Sequence, residues 1–522
     1  MLQNLFGNNT VGSTAIKFLN SDRLGKDYEN DLFAGDINNG NVYHFELDEN
    51  RTGVQLQGPL NDTIANKYDE LDSIVFAGGL NVSGITDLQV GPNGYLYVVS
   101  IGGEIYRIMP NNLNQNAVEN LNKLAANKTM LSSNIVLYDT GIGLSKEGCF
   151  KYDSSASTVL VNCKSANLSY LYEVLKDPHI IGKEGSKTWI LNANLEVNNG
   201  STLYINSSDT RWLKLNSTGG HSYNIVAHGN LLIDSAKITS WDSIMNNYSR
   251  NDKGNISRSY IITKQGSGIT KITNSELAYL GYNQPDSFGL TYYSGSGSVL
   301  QNNKIYDLFS GFYAKDNVHN ITIDNNEIYN STAHGVDSHS NTHNLLIKNN
   351  SIHHNEKNGV SCSIGCYSVI FESNKIYNNK GEGAMLNKNV SDSTIQNNIF
   401  SNNGNQVVIY GSSNNNTVYN NSMTGGKGGV KITANSSENL INSNDIKNSN
   451  YGISLQGGAF NNVIESNRIV NTSDSGILIL NPQTNNNVFK NNILFNNQNK
   501  NVNIVDVNTS NSFFVNNSKM IP

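Results

Sequence analysis

From about residue 175 onward, apolar and polar positions alternate in short runs that end on asparagine. After Asn320 the pattern apolar, any, apolar, any, Asn or Ser, Asn, any, Ile recurs. It reads Ile321-Thr322-Ile323-Asp324-Asn325-Asn326-Glu327-Ile328, then Leu345-Leu346-Ile347-Lys348-Asn349-Asn350-Ser351-Ile352, then Val369-Ile370-Phe371-Glu372-Ser373-Asn374-Lys375-Ile376. The period is about 24 residues. The frame continues through Asn421, Asn444, Asn467 and Asn491 to Asn517, and Gly335, Gly359, Gly383, Gly429, Gly452 and Gly476 keep the same phase. Period-two alternation without helical spacing marks strands, and short strands recurring at this interval predict a solenoid whose coils bury their apolar faces on one another. Leucine-rich repeats share the period but require regular leucines and a helix. The fold class expected is all-β, a right-handed single-stranded parallel β-helix over residues 176–522, with less regular early coils between Trp189 and Asp242. Asparagine repeated at one bend accepts left-handed backbone and can bond its amide to the next coil, so the Asn columns read as structural.

The first 110 residues differ in kind. Phe33-Ala34-Gly35-Asp36, Gly40-Asn41-Val42-Tyr43-His44-Phe45 and Ile85 to Val98 read as hairpin strands joined by turn residues. Gly94-Tyr95-Leu96-Tyr97-Val98 and Gly103-Glu104-Ile105-Tyr106-Arg107-Ile108 resemble the closing blades of the propeller in quinone-dependent soluble sugar dehydrogenases. That resemblance implies a β-propeller-like fragment over residues 1–110, part of a fusion or of a longer chain, since a propeller needs more blades to close. Residues 111–175 read as a linker or cap, with a short helix over 112–127. Phe513, Phe514 and Val515 are expected to close the last coil.

Charge narrows the class of partner. The net charge is −6 with 15% charged residues, and Lys and Arg are scattered, so no nucleic-acid footprint is present. No stretch of about 18 apolar residues predicts a membrane span, and the first residues lack the basic and apolar regions of a signal peptide. The cysteines fall as two close pairs, Cys149 with Cys163 and Cys362 with Cys366, which suit either local disulfides or four buried thiols. No metal site and no cofactor are expected.

Aligning coils on their glycines turns residues into columns one strand spacing apart, about 4.8 Å. The first position after each glycine is apolar (Leu290, Phe312, Val336, Val360, Ala384) and should point inward. The second and fourth then point outward. The second reads Thr291, Tyr313, Asp337, Ser361 and the fourth Tyr293, Lys315, His339, Ser363. Asp337 and His339 thus share a face with Tyr313 and Lys315 beneath them, and His334 and His343 flank the group. A lysine to neutralise a sugar carboxylate, an imidazole or phenol to move a proton, and an acid to tune the imidazole are what proton abstraction beside a carboxylate needs. A polar solvated sheet face would carry similar residues.

The segment Gly335-Val336-Asp337-Ser338-His339-Ser340-Asn341-Thr342-His343 resembles the alginate (mannuronan) C5-epimerases, whose hallmark is a Tyr-Gly-x-Asp-Pro-His-acid run on a parallel β-helix. Gly229 to Asp242, Tyr279-Leu280-Gly281-Tyr282 and Phe288-Gly289-Leu290-Thr291 resemble further segments of the periplasmic type, in the same order, over about residues 185–405. The resemblance implies proton transfer at C5 by His339, support from Asp337 and neutralisation by Lys315, or by Lys388 from two coils above; the columns add Tyr313 and His334 as catalytic candidates and Tyr293, His343 and Lys388 as substrate contacts. The motif proline is Ser338 here, the following acid Ser340, and the preceding tyrosine His334. The next coil, Gly359-Val360-Ser361-Cys362-Ser363, lacks the family's arginine. The resulting expectation is a monomeric, extracytoplasmic protein acting on an anionic polysaccharide as a C5-epimerase. A lyase sharing the first step, a non-catalytic sugar-binding β-helix and, from the N-terminal blades alone, a sugar dehydrogenase are the alternatives.

Overall fold

The computed structural model describes residues 12–108 with short gaps, 148–250, 257–505 except 267 and 482, and parts of 513–519. The chain divides into two compact units, 1–144 and 145–522. The helix expected over 112–127 lies outside the described residues, as do the side chains of Phe513 and Phe514. Val515, expected to cap the core, is instead exposed.

In the first unit, Ser13–Phe18, Leu32–Asp36, Val42–Leu47 and Val54–Gln55 form an antiparallel sheet with Val75–Ala77 beside the third strand, and Ile85–Val90, Leu96–Ser100 and Ile105–Arg107 form a second. Phe33, Val42, Ile85, Leu88, Leu96 and Val98 share one buried core.

The second unit is the solenoid. Among the described residues three long sheets, of 15, 14 and 17 strands, run along it, and apart from antiparallel hairpins in the early coils their strands pair in parallel at one coil's separation. Its first strands, Phe150–Asp153 and Thr158–Val161, fall within the stretch read as linker or cap. They form an antiparallel hairpin that starts the 15-stranded sheet. Cys149 and Cys163 flank that hairpin and form a disulfide, whereas Cys362 and Cys366 are free, buried thiols. The helix Leu168–Leu175 covers this end, capped by the Asn167 side chain accepting from the Tyr170 N–H. No helix among the described residues is long and apolar enough to cross a membrane.

Each sheet contributes one inward column to the core. Leu290, Phe312, Val336, Val360 and Ala384 have no solvent exposure, as their place after the glycines required. Ile305, Ile328, Ile352, Ile376 and Phe400 form a second column and Leu300, Ile323, Ile347, Phe371 and Ile395 a third. At the bend between the latter two sheets, Asn303, Asn326, Asn350, Asn374, Asn398, Asn421, Asn444, Asn467, Asn492 and Asn517 form a buried ladder. Each backbone N–H and side-chain amide donates to the Oδ1 of the next. The left-handed backbone belongs to the preceding residue, as in Asn325, Asn349, Ser373, Asn397 and Asn491. The two functions read onto one asparagine are therefore divided between neighbours, and Asn492 rather than Asn491 continues the ladder.

Candidate functional site

The outward face of the 15-stranded sheet carries the columns that hold chemistry. Strand Val336–His339 buries Val336 and Ser338 completely and leaves Asp337 and His339 half-buried on the outer side. Strand Ser310–Ala314 lies on one side, with Tyr313 in register with Asp337, and strand Val360–Ser363 on the other, with Ser361 opposite Asp337 and Ser363 opposite His339. Tyr313, Asp337 and His339 are thus neighbours because the coils stack in register. The Tyr313 and His339 rings lie near-parallel at 6.3 Å between centroids.

The neighbourhood sets the protonation states. Burial raises the Asp337 carboxyl to about 7, opposed only in part by Lys357. Among the described residues no side chain hydrogen-bonds to it. Burial, with help from Lys357 and His339, lowers His334 to about 4. Its Nδ1 accepts the Asn358 backbone N–H at 3.3 Å, as a neutral imidazole with its proton on Nε2 does. His339 is lowered below the ordinary imidazole range by burial, then by Lys315 and Lys388, with Asp316 opposing; its Nδ1 lies 2.8 Å from Ser340 Oγ. Burial and the nearby carboxylates of Asp337, Asp316 and Asp286 raise the Tyr313 phenol, which stays protonated at all ordinary pH. The group is therefore two neutral imidazoles, a phenol and a carboxyl that titrates near neutrality.

Cations surround it. Lys315 Nζ sits 4.5 Å from the centre of the Tyr293 ring and 3.5 Å from Asp316. Tyr293 is itself hydrogen-bonded to Asp286, and its phenol is raised by burial first and by that carboxylate second. Lys388 follows Asn387, which continues the column of His339 and Ser363. Lys357 acts on Asp337 and His334 from the loop before strand Val360–Ser363. Sequence reading missed it; its signal is backbone pairing across coils, since the Lys357 N–H donates to Ala333 O and the Gly381 N–H to Lys357 O. Phe288 also went unnoticed. Its ring meets Tyr313 edge-on at 4.7 Å and stacks on Phe309 at 5.5 Å, walling the site toward the N-terminal coils. His343 stands apart, stacked between His319 and Tyr367 at 4.8 and 4.4 Å on the turn beyond the strand. Among the described residues no cluster of three or more His, Cys, Asp or Glu side chains could hold a metal ion.

A family profile described as right handed beta helix region matches residues 259–423 and 388–518. The fold is a right-handed parallel β-helix. No curated protein matches the chain in sequence. Among solved structures, the periplasmic alginate epimerase AlgG is 18% identical over 70% of this chain and 85% of its own, with a TM-score of 0.59. The A-module of the Azotobacter vinelandii mannuronan C-5 epimerase AlgE6 is 14% identical over 64% of this chain and 89% of its own, with a TM-score of 0.44. At 18% identity the likeness to AlgG is one of fold.

Proposed function

We propose that the β-helix is an extracytoplasmic enzyme of anionic polysaccharides, a C5-epimerase of polyuronate chains. The observation that carries this reading is the register of Tyr313, Asp337 and His339 on one outward face, ringed by Lys315, Lys357 and Lys388. The C5–H of a uronate is acidic only when its carboxylate is neutralised, a task for a lysine. Lys315 holds the carboxylate and neutral His339 takes the C5 proton. The C–H electron pair moves into the carboxylate as an enolate, to which protonated Asp337 donates a hydrogen bond. The Tyr313 phenol, held protonated, returns a proton to the opposite face of C5; the phenolate then takes a proton from solvent and the His339 imidazolium releases its own to solvent. The likeness of fold to alginate epimerases supports the choice of polymer class, and the Cys149–Cys163 disulfide supports an oxidising compartment. In an elimination the same carbanion would instead expel the C4-linked sugar.

The test is incubation with polymannuronate in deuterated water. Deuterium at C5 without unsaturated ends is expected, and His339→Ala should lower the exchange rate by about 10²–10⁴-fold. Unsaturated ends with label would convert the reading to a lyase. No label on any polyuronate would remove the catalytic reading in favour of a binding surface.

A further inference from the structure

Along the outward column that holds Asp337, the register runs Asp337, Ser361, Met385, Val408, Lys431 through consecutive strand pairs. Four strand spacings separate Asp337 from Lys431, about 19 Å. Lys431 is half-buried, and among the described residues no carboxylate lies within ion-pair distance of it. The acid that acts on it is Glu382, whose two oxygens already accept the Asn405 backbone N–H and side-chain amide. Burial and neighbouring Lys427 lower its ammonium. A half-buried cation beside a second cation, without a counter-ion of its own, is arranged for an anion from outside. In the parallel column, His339 is followed by Ser363, Asn387 and Tyr410, and Tyr410 is 39% exposed. Its ring can stack on the face of a sugar. On the opposite side of the site Phe288 packs on Tyr313.

From these observations we infer that Tyr410 and Lys431 form a distal subsite for a polyanionic sugar chain that runs from the reactive cluster along the helix toward the C-terminal coils. This deepens the proposed function and rests on it for the identity of the anion. Several units along from the reacting unit, a carboxylate then meets Lys431. The subsite lengthens the contact and makes binding depend on chain length.

Affinity measured by calorimetry on the full chain carrying His339→Ala, which separates binding from turnover, tests the inference. Polymannuronate and a mannuronate trimer serve as probes. Adding Lys431→Gln should weaken the polymer about tenfold and leave the trimer unchanged, Lys431→Arg should restore polymer affinity to within about twofold, and Tyr410→Ala should weaken the polymer alone. Equal polymer affinity with and without Lys431→Gln, an equal loss for trimer and polymer, or no polymer binding at all would overturn it. C5 exchange by the wild-type protein with no Lys431 effect would remove only the distal subsite. Length-dependent loss at Lys431 without any C5 exchange would keep the subsite and remove the epimerase reading.

Discussion

Asp337 illustrates how a single residue can trade stability for chemistry. In the folded protein its carboxyl is held at about 7, whereas in the unfolded chain it titrates near the ordinary aspartate value of about 4. Between those values the folded state retains a proton that the unfolded state has lost. Stability is therefore undiminished below about pH 4 and falls as pH rises toward 7. Asp337→Asn should consequently be more stable than wild type by about 2–4 kcal/mol at pH 8, with no difference at pH 4, in urea denaturation; an advantage that grew on acidification would contradict the assignment. His339 makes a second prediction. Because burial, Lys315 and Lys388 hold it below the usual imidazole value, the acid limb of the C5-exchange profile should lie below about pH 6.5. Lys315→Gln should move that limb upward while raising KM, since it removes both a cation beside the imidazole and the carboxylate's partner.

At the scale of the element, two asparagines side by side do different work. Asn398 is buried, accepts from Asn374, and donates to Asn421, to Phe371 O and to Gln396 O. Asn398→Ala leaves several buried groups without partners and should cost about 2–4 kcal/mol. Its neighbour Asn397 takes the left-handed conformation with φ 57°, so Asn397→Gly should be within about 0.5 kcal/mol of wild type and Asn397→Val should cost about 1–2 kcal/mol. Urea titrations of the three variants separate ladder from turn. The glycine column has a different cause. Gly359 has no left-handed backbone, but a Cβ there would meet Ile376 Cγ2 at 2.5 Å and Gly383 O at 2.8 Å. Close approach of adjacent coils is what demands glycine, and Gly335 and Gly383 face the same crowding. The column was visible in the sequence as a phase marker, while its steric reason needed the stacked coils.

Over the whole solenoid, each coil contacts its neighbours, so stability is close to a sum of repeats and interfaces. Deleting residues 440–462 removes one complete coil, because Leu440 and Val463 occupy equivalent positions. The shortened chain should keep its strand signal in circular dichroism and its C5 exchange, whereas deleting only residues 440–451 should unfold the coils that follow, by shifting their apolar columns out of phase. The same periodicity explains how much could be read in advance. Inward columns, Asn columns and the sharing of a face by Tyr313, Lys315, Asp337 and His339 follow from a repeat of fixed length and strand alternation, which are properties of order along the chain. Both cysteine pairs are close in sequence, but only Cys149 and Cys163 flank an antiparallel hairpin; Cys362 faces the core from a strand and Cys366 is buried after the turn. Lys357 sits at a loop position that repeats at Ala333 and Gly381 but carries no cation at either, Phe288 reaches the site from a loop, and His343 leaves it because the chain turns at Asn341, in left-handed backbone, before the next strand. Protonation states belong to this second class as well. Desolvation and the distance to a lysine depend on what packs above and below a side chain, and only stacked coils decide that.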